Sequence, residues 1–301
     1  MNISFYILTY NRPAILQNCL KSLYSNTDIH PNESWIIDDG SNSDMQKSLV
    51  PFCQHNEINL MMGVKNYGIG YSFERVYNLI YQNDDADLSC IIESDYIWRK
   101  GWLEDVCAVF KASPHTLAIS GTSHPDFVKR SQTHETFPEI MKEQFDKDLD
   151  ARDSLYKPFD LLTDIGNIKV QGTSNSCGCL IINWKRMKAV IETLEDQNII
   201  PYRDYKRRMD RAFNKFITHD TRRNASDGQM SSIISMYGEL YLKYRGIDIT
   251  KNFPFLDICD YSISQHVCGG GANGGSFPEG STFIVSNNWA HEYLSKNPRL
   301  S

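Results

Sequence analysis

The 301-residue chain has no apolar run approaching the roughly 20 residues that cross a bilayer. It does not open on a basic stretch followed by an apolar one, so no leader is expected. Its eight cysteines include no C-x2-C pair, so a zinc framework is not expected. Cys177-Gly178-Cys179 is the one close pair, and buried free thiols are its simpler reading. A cytoplasmic, reduced protein is the resulting expectation. The net charge is only −6, which argues against a surface that coats nucleic acid generally. There is no internal repeat. What remains is an ordinary globular composition, 41% hydrophobic and 23% charged, enough for a sizeable core in one large domain or two joined halves.

Along the chain, short apolar runs alternate with stretches of helical periodicity. Ile3–Leu8 is followed by Pro13, suited to a first helical turn, and by Ile15, Leu16, Cys19, Leu20 and Leu23 on one face. Trp35–Ile37 stops at Asp38-Asp39-Gly40-Ser41. Ile58–Met62 leads into Asn66-Tyr67-Gly68 and then a helix bearing Val76, Tyr77 and Ile80. Leu88–Ile92 precedes a helix with Trp102, Val106 and Phe110 inward, and Thr116–Ser120 closes the series. This rhythm predicts an α/β fold with a doubly wound, mostly parallel sheet. Its polar strand ends, Thr9 and Asn11, Asp38 and Asp39, Glu93 and Asp95, would then share one crevice. Any one of these acids suits a helix cap or turn equally well; three in register are harder to read so.

The stretch Ile91–Trp102 organises the rest. A buried run enters two carboxylates one residue apart, Glu93 and Asp95, and hard oxygen ligands of this kind suit Mg2+ or Mn2+. Residues 123–166 are rich in charge and poor in apolar periodicity, as in an insertion or cover over the site. Strands resume at Ile168–Val170 and Cys179–Ile182, with a helix over Trp184–Leu194. Residues 201–223 hold eight Lys and Arg against three Asp. Such a run suits a solvated helix face, or a phosphate-bearing ligand held by Arg207, Arg208 and Arg211. Asp227 precedes a further helix as an N-cap or a general base. Ser174 and Asn175 fall in a small-residue segment of the kind found in a tight loop entering a strand. Trp98 and Trp102 offer ring faces for stacking, Trp102 more naturally to the core. His266 precedes a glycine-rich segment, Gly269–Gly271 and Gly274-Gly275, that reads as a phosphate approach or a hinge.

Taken together, ISFYILTYNRP, WIIDDGS and IIESDYIWRKGWL resemble, in order and spacing, the nucleotide-binding half of inverting GT-A glycosyltransferases of the family 2 type. The likeness covers about the first 120 residues and extends loosely beyond. It implies a Rossmann-like donor half over 1–122, the charged cover over 123–166 and a smaller acceptor half over 167–301. It implies a metal-dependent transfer of sugar from a nucleoside-diphosphate sugar, most naturally a UDP-sugar, to an acceptor hydroxyl. Thr9, Asn11, Asp38, Asp39 and Asn66 would hold the nucleoside. Glu93, Ser94 and Asp95 stand where the family has its Asp-x-Asp motif, and Asp95 with His266 would hold Mn2+ or Mg2+. Asp227 would be the base, with Trp98, Ser174, Asn175, Arg207, Arg208 and Arg211 toward the acceptor. That acceptor is left open between a glycan and a nucleic acid such as a hydroxymethylated DNA base, and the oligomeric state is open. The usual Ala-Arg-Asn after Asn-x-Gly is replaced by Ser72-Phe73-Glu74, and the first motif acid is Glu. A sugar nucleotidyltransferase is disfavoured by the Thr-Tyr-Asn-Arg that follows the first strand, where a glycine-rich loop would grip triphosphate. A non-catalytic carbohydrate-binding relative is the remaining alternative.

Overall fold

The computed structural model describes residues 2–28, 30, 33–82, 86–120, 162–166, 168–172, 179–199, 226–249, 251–258 and 264–266. The strands are β1 (Ile3–Thr9), β2 (Ser34–Asp38), β3 (Asn59–Met62), β4 (Leu88–Glu93), β5 (Tyr96–Trp98), β6 (Ala118–Ser120), β7 (Leu162–Ile165), β8 (Ile168–Gly172), β9 (Cys179–Asn183), β10 (Phe255–Ile258) and β11 (Ser264–His266). The helices are α1 (Pro13–Asn26), α2 (Ser43–His55), α3 (Ile69–Gln82), α4 (Trp102–Ala112), α5 (Trp184–Asp196) and α6 (Ser226–Tyr244). Nine strands form one sheet in the order β3-β2-β1-β4-β9-β6-β10-β8-β7. The first four are parallel. Only β8 and β9 run against the other seven, so the sheet is mostly parallel in direction, as expected.

Both faces of this sheet are covered, which is why its central strands read as continuous apolar runs rather than alternating ones. Phe5, Ile7, Cys90 and Ile92 point to one face and pack under α1, α2 and α4. Tyr6, Leu8, Ile37 and Ile91 point to the other, with Phe73 and Val76 of α3, Met187 and Leu194 of α5, and Ile234 and Tyr237 of α6. Side chains alternate along a strand, so one run feeds two cores.

The helix α2 was not expected from periodicity, and it runs through Pro51. Its start is well specified: Asn42 caps it by accepting from Met45 N–H at 3.0 Å. At the far side, Arg186 of α5 clamps the end of α4. Its guanidinium donates to the carbonyls of Phe110 at 2.7 Å, Ser113 at 2.9 Å and Thr116 at 3.0 Å, which a helix C-terminus would otherwise leave exposed. Among the described residues no helix is long and apolar enough to cross a membrane.

The strand β5 corrects one expectation. Trp98 stacks on no sugar: its ring is wholly buried, 4.3 Å from Trp102 and 6.3 Å from Phe5 between centroids. The reason is that β5 lies against α1 instead of in solvent. Trp98 N–H donates to Ser22 Oγ at 3.1 Å, and Asn26 Nδ2 donates to the Trp98 carbonyl at 2.8 Å. Helix side chains thus satisfy a strand's backbone on one side, while β11 pairs on the other. Trp102 is a core residue as expected, and its indole N–H donates to Thr27 Oγ1 at 2.6 Å.

Candidate active site

Three strand ends meet beyond the carboxyl edge of the parallel half. The Asp39 N–H donates to the Thr9 carbonyl at 3.0 Å, and the Ser94 N–H donates to the Leu8 carbonyl at 2.8 Å. The exits of β2 and β4 are therefore both tied to the exit of β1. Asn11 follows with φ +52°, a left-handed turn that Asn tolerates. Its N–H donates to Ser41 Oγ at 2.8 Å, and its Oδ1 accepts from Asn42 N–H at 2.7 Å. Asn11 thereby stitches the β1 exit to the start of α2.

The two aspartates after β2 divide the work. Asp38 is fully buried, and its carboxylate accepts from Ser41 N–H, Ser41 Oγ and Gln46 Nε2. Its carbonyl accepts from Gly63 N–H and from Arg75 Nη1 at 3.1 Å. Asp38 builds the turn between β2 and α2, which corrects its expected part in donor binding: its oxygens are committed to the protein. Asp39 reaches across to the loop before α3 and accepts from Tyr67 N–H at 3.3 Å and Gly68 N–H at 3.0 Å. Burial raises its pKa, opposed by those two N–H groups and by Arg75, and aided by the charge of Asp38. Asn66 is similarly engaged: its Oδ1 accepts from Gly68 N–H at 2.8 Å, so the side chain holds a turn.

Thr9 differs from these. It is buried, yet among the described residues its Oγ1 finds no hydrogen-bond partner. A buried hydroxyl beside two polar loops is a ready contact for a bound polar molecule. Beside it run aromatic and cationic side chains that the motif pattern did not single out. Lys65 lies 4.8 Å from the Tyr67 ring, the Tyr67 and Tyr71 rings lie 4.8 Å apart and tilted by 47°, and Arg75 lies 5.9 Å from the Tyr71 ring.

Asp95 is held where β4 turns into β5. It is 3% exposed, and its Oδ2 accepts from Arg12 Nη1 at 2.7 Å. Glu93 is half-buried at the end of β4, and Ser94 is buried between the two acids. Sequence reasoning passed over Arg12, although it belongs to the very TYNRP segment that flagged the β1 exit. The signal was local: Arg12 sits at the N-cap of α1 and makes no side-chain cap bond there. A cation at a helix N-terminus opposes the helix dipole, so its guanidinium serves something other than the helix.

The register of β11 on β5 sets His266 opposite Tyr96, the residue after Asp95. The side chains of His266 and Asp227 fall outside the description. Asp227 lies in the first turn of α6. Ser174, Asn175, Arg207, Arg208, Arg211 and the glycines of 269–275 lie outside the described residues. Among those described, no group of three or more His, Cys, Asp or Glu could hold a metal. A single buried carboxylate in a crevice suits Mg2+ of the kind that keeps waters and shares phosphate oxygens with its ligand, so the donor set fits a metal bound together with a diphosphate.

The family model described as "Glycosyl transferase family 2" matches residues 4–170. A glucosyl-dolichyl phosphate glucuronosyltransferase of Haloferax volcanii is 26% identical over 147 residues, 48% of this chain and 44% of that protein. Among solved structures, the mannosyltransferase PcManGT from Pyrobaculum calidifontis, in complex with GDP-Man and Mn2+, is 12% identical with a TM-score of 0.48, over 90% of this chain and 58% of that one. Residues 1–349 of TarS from S. aureus, in complex with UDP-GlcNAc, are 15% identical with a TM-score of 0.46, over 92% of this chain and 61% of that one. The chain spans less than two thirds of the length of each of these relatives. The match of the family model runs from β1 through every strand end of the crevice and covers more than half the sequence: the chain belongs to glycosyl transferase family 2.

Proposed function

We propose that this protein moves a glycosyl group from a nucleoside-diphosphate sugar, a UDP-sugar, to an acceptor hydroxyl with inversion at the sugar carbon. The observation that supports the reading is the tie of the β2 and β4 exits to β1: Asp39 N–H donates to the Thr9 carbonyl, and Ser94 N–H, next to Asp95, donates to the Leu8 carbonyl. Thr9 Oγ1 offers a buried hydroxyl to the nucleoside. Asp39 accepts from a base N–H or a ribose hydroxyl, at the expense of its bonds to the loop before α3. Asp95, with Glu93 and Ser94 beside it, faces the diphosphate, and His266 joins it from β11. Mn2+ or Mg2+ held there supplies Lewis-acid stabilisation of the leaving diphosphate. Asp227 takes the proton from the acceptor hydroxyl as it attacks. In this reading residues 1–122 bind the donor, 123–166 cover it, and 167–301 receive the acceptor. The basic residues Arg207, Arg208 and Arg211 then favour an acceptor that bears phosphate, a glycan or a hydroxymethylated DNA base.

A thermal-shift screen of nucleotides and nucleotide sugars with Mn2+ tests this, because a ligand that binds the native state alone raises the melting temperature. A selective rise with UDP or a UDP-sugar is expected, and it should vanish in Asp95→Ala. An Asp95→Ala protein that binds and turns over donor as the wild type does would remove the assignment of Asp95.

A further inference from the structure

The ion pair between Arg12 and Asp95 joins the carboxylate proposed for the metal to a permanent cation of the same crevice. Three features set it apart from a surface pair. Asp95 is almost wholly buried, with its side chain 4% exposed, whereas that of Arg12 is 23% exposed and open to solvent on one side. The contact is short, 2.7 Å. And Arg12 occupies a helix N-cap, where Ser, Thr, Asp or Asn is favoured and a cation is not. A residue that breaks a local rule in this way is characteristic of a functional position.

A carboxylate oxygen that already faces a guanidinium cannot take a divalent ion on the same side without moving one of the two cations. Asp95 is the fixed member. Its turn is tied to β1 through Ser94, and the following strand is pinned to α1 through Ser22 and Asn26. Arg12 is the movable one, with a long side chain and a solvent-facing flank. We infer that Arg12 is the resident counter-cation of Asp95, that it yields that oxygen when a divalent ion binds, and that its released fork then pairs with the phosphates of the donor. A planar fork of N–H donors suits phosphate oxygens. The pair thus compensates a buried carboxylate until a divalent ion takes the place of the guanidinium. This inference rests on the proposed metal role of Asp95.

The test measures two affinities in wild type and Arg12→Gln. The first is Mn2+ alone, followed by the loss of the free-ion electron paramagnetic resonance signal. The second is UDP in saturating Mn2+, followed by calorimetry. Removing the competitor should tighten Mn2+ about two- to fivefold, the worth of a partly exposed ion pair. Removing the phosphate partner should weaken UDP by a similar factor. A merely structural role would move both in one direction, so weakening of both, or no change in Mn2+ affinity, overturns the inference and leaves the metal site standing. If neither protein binds Mn2+, with or without UDP, the metal reading of Asp95 fails and the inference with it. If Arg12→Gln does not fold by circular dichroism, Arg12→Lys, which keeps charge and loses the fork, carries the same comparison. UDP should then weaken while Mn2+ affinity stays near wild type, and an unchanged UDP affinity overturns the inference.

Discussion

Replacing Gly40 by Ala should damage fold and site together. Gly40 has φ +70°, in the left-handed region where an added Cβ costs about 1–2 kcal/mol. It also abuts the loop before α3: a Cβ there would stand 2.1 Å from the Lys65 carbonyl carbon and 2.5 Å from its Cα. These are backbone atoms, so no side-chain rotation relieves the overlap. Displacing them adds a packing term of about 1–3 kcal/mol. Gly101 provides the control, with φ +77° and nothing within 4 Å of its would-be Cβ. Gly101→Ala should therefore lose only the dihedral term, about 1–2 kcal/mol. Urea unfolding of the two variants should separate them by about 1–3 kcal/mol. The displaced loop also carries the Tyr67 and Gly68 N–H groups that hold Asp39. UDP binding should fall in Gly40→Ala and persist in Gly101→Ala. Equal destabilisation of the two, or intact UDP binding in Gly40→Ala, would refute the coupling of the two loops through this contact.

Asn26→Ala should lower stability by about 1–3 kcal/mol in thermal or urea unfolding, because it strips the buried Trp98 carbonyl of its donor; a loss below a few tenths would show that water replaces the amide. Arg186→Met keeps much of the stem but removes three donors from the end of α4, with a loss of about 2–4 kcal/mol expected by the same measurement. Asp39 gives a pH dependence. Its folded pKa is raised by burial, so folding takes up a proton between the unfolded and folded values. Its contribution to stability is full below the unfolded pKa and is lost as pH rises through the folded one. Asp39→Asn should flatten that part of the melting-temperature profile against pH, and an unchanged slope would contradict the assignment.

Much of the parallel half of the sheet was legible because its signals are local. Ile3–Leu8, Trp35–Ile37 and Leu88–Ile92 are apolar runs that end in polar residues, and each is a parallel strand feeding the crevice. What sequence could not show is which polar atoms the protein keeps for itself. Asp38 and Asn66 match the family's positions, yet the Asp38 carboxylate and Asn66 Oδ1 close turns and Asp39 accepts from the loop before α3, while Thr9 Oγ1 finds no partner among the described residues. That division depends on contacts with Ser41, Gln46 and Gly68, and no periodicity encodes them. Trp98 misled for a related reason. A three-residue strand after an acidic motif reads as a loop until the hydroxyl of Ser22 and the amide of Asn26 are found beneath it. The strand β10 was missed because Phe255–Ile258 acquires its neighbours, β6 and β8, only from distant parts of the chain.

The ribbon of β5 and β11 has a bearing on biogenesis. The segment that follows Asp95 completes its pairing with residues 264–266, which leave the ribosome long after strands β1 to β4 have been synthesised. A nascent or truncated chain ending before Ser264 would present Tyr96–Trp98 as an open edge, able to recruit another strand. The strand after Asp95 thus gains its partner only when the distal part of the polypeptide has been made, so premature termination there exposes an adhesive edge next to that acid.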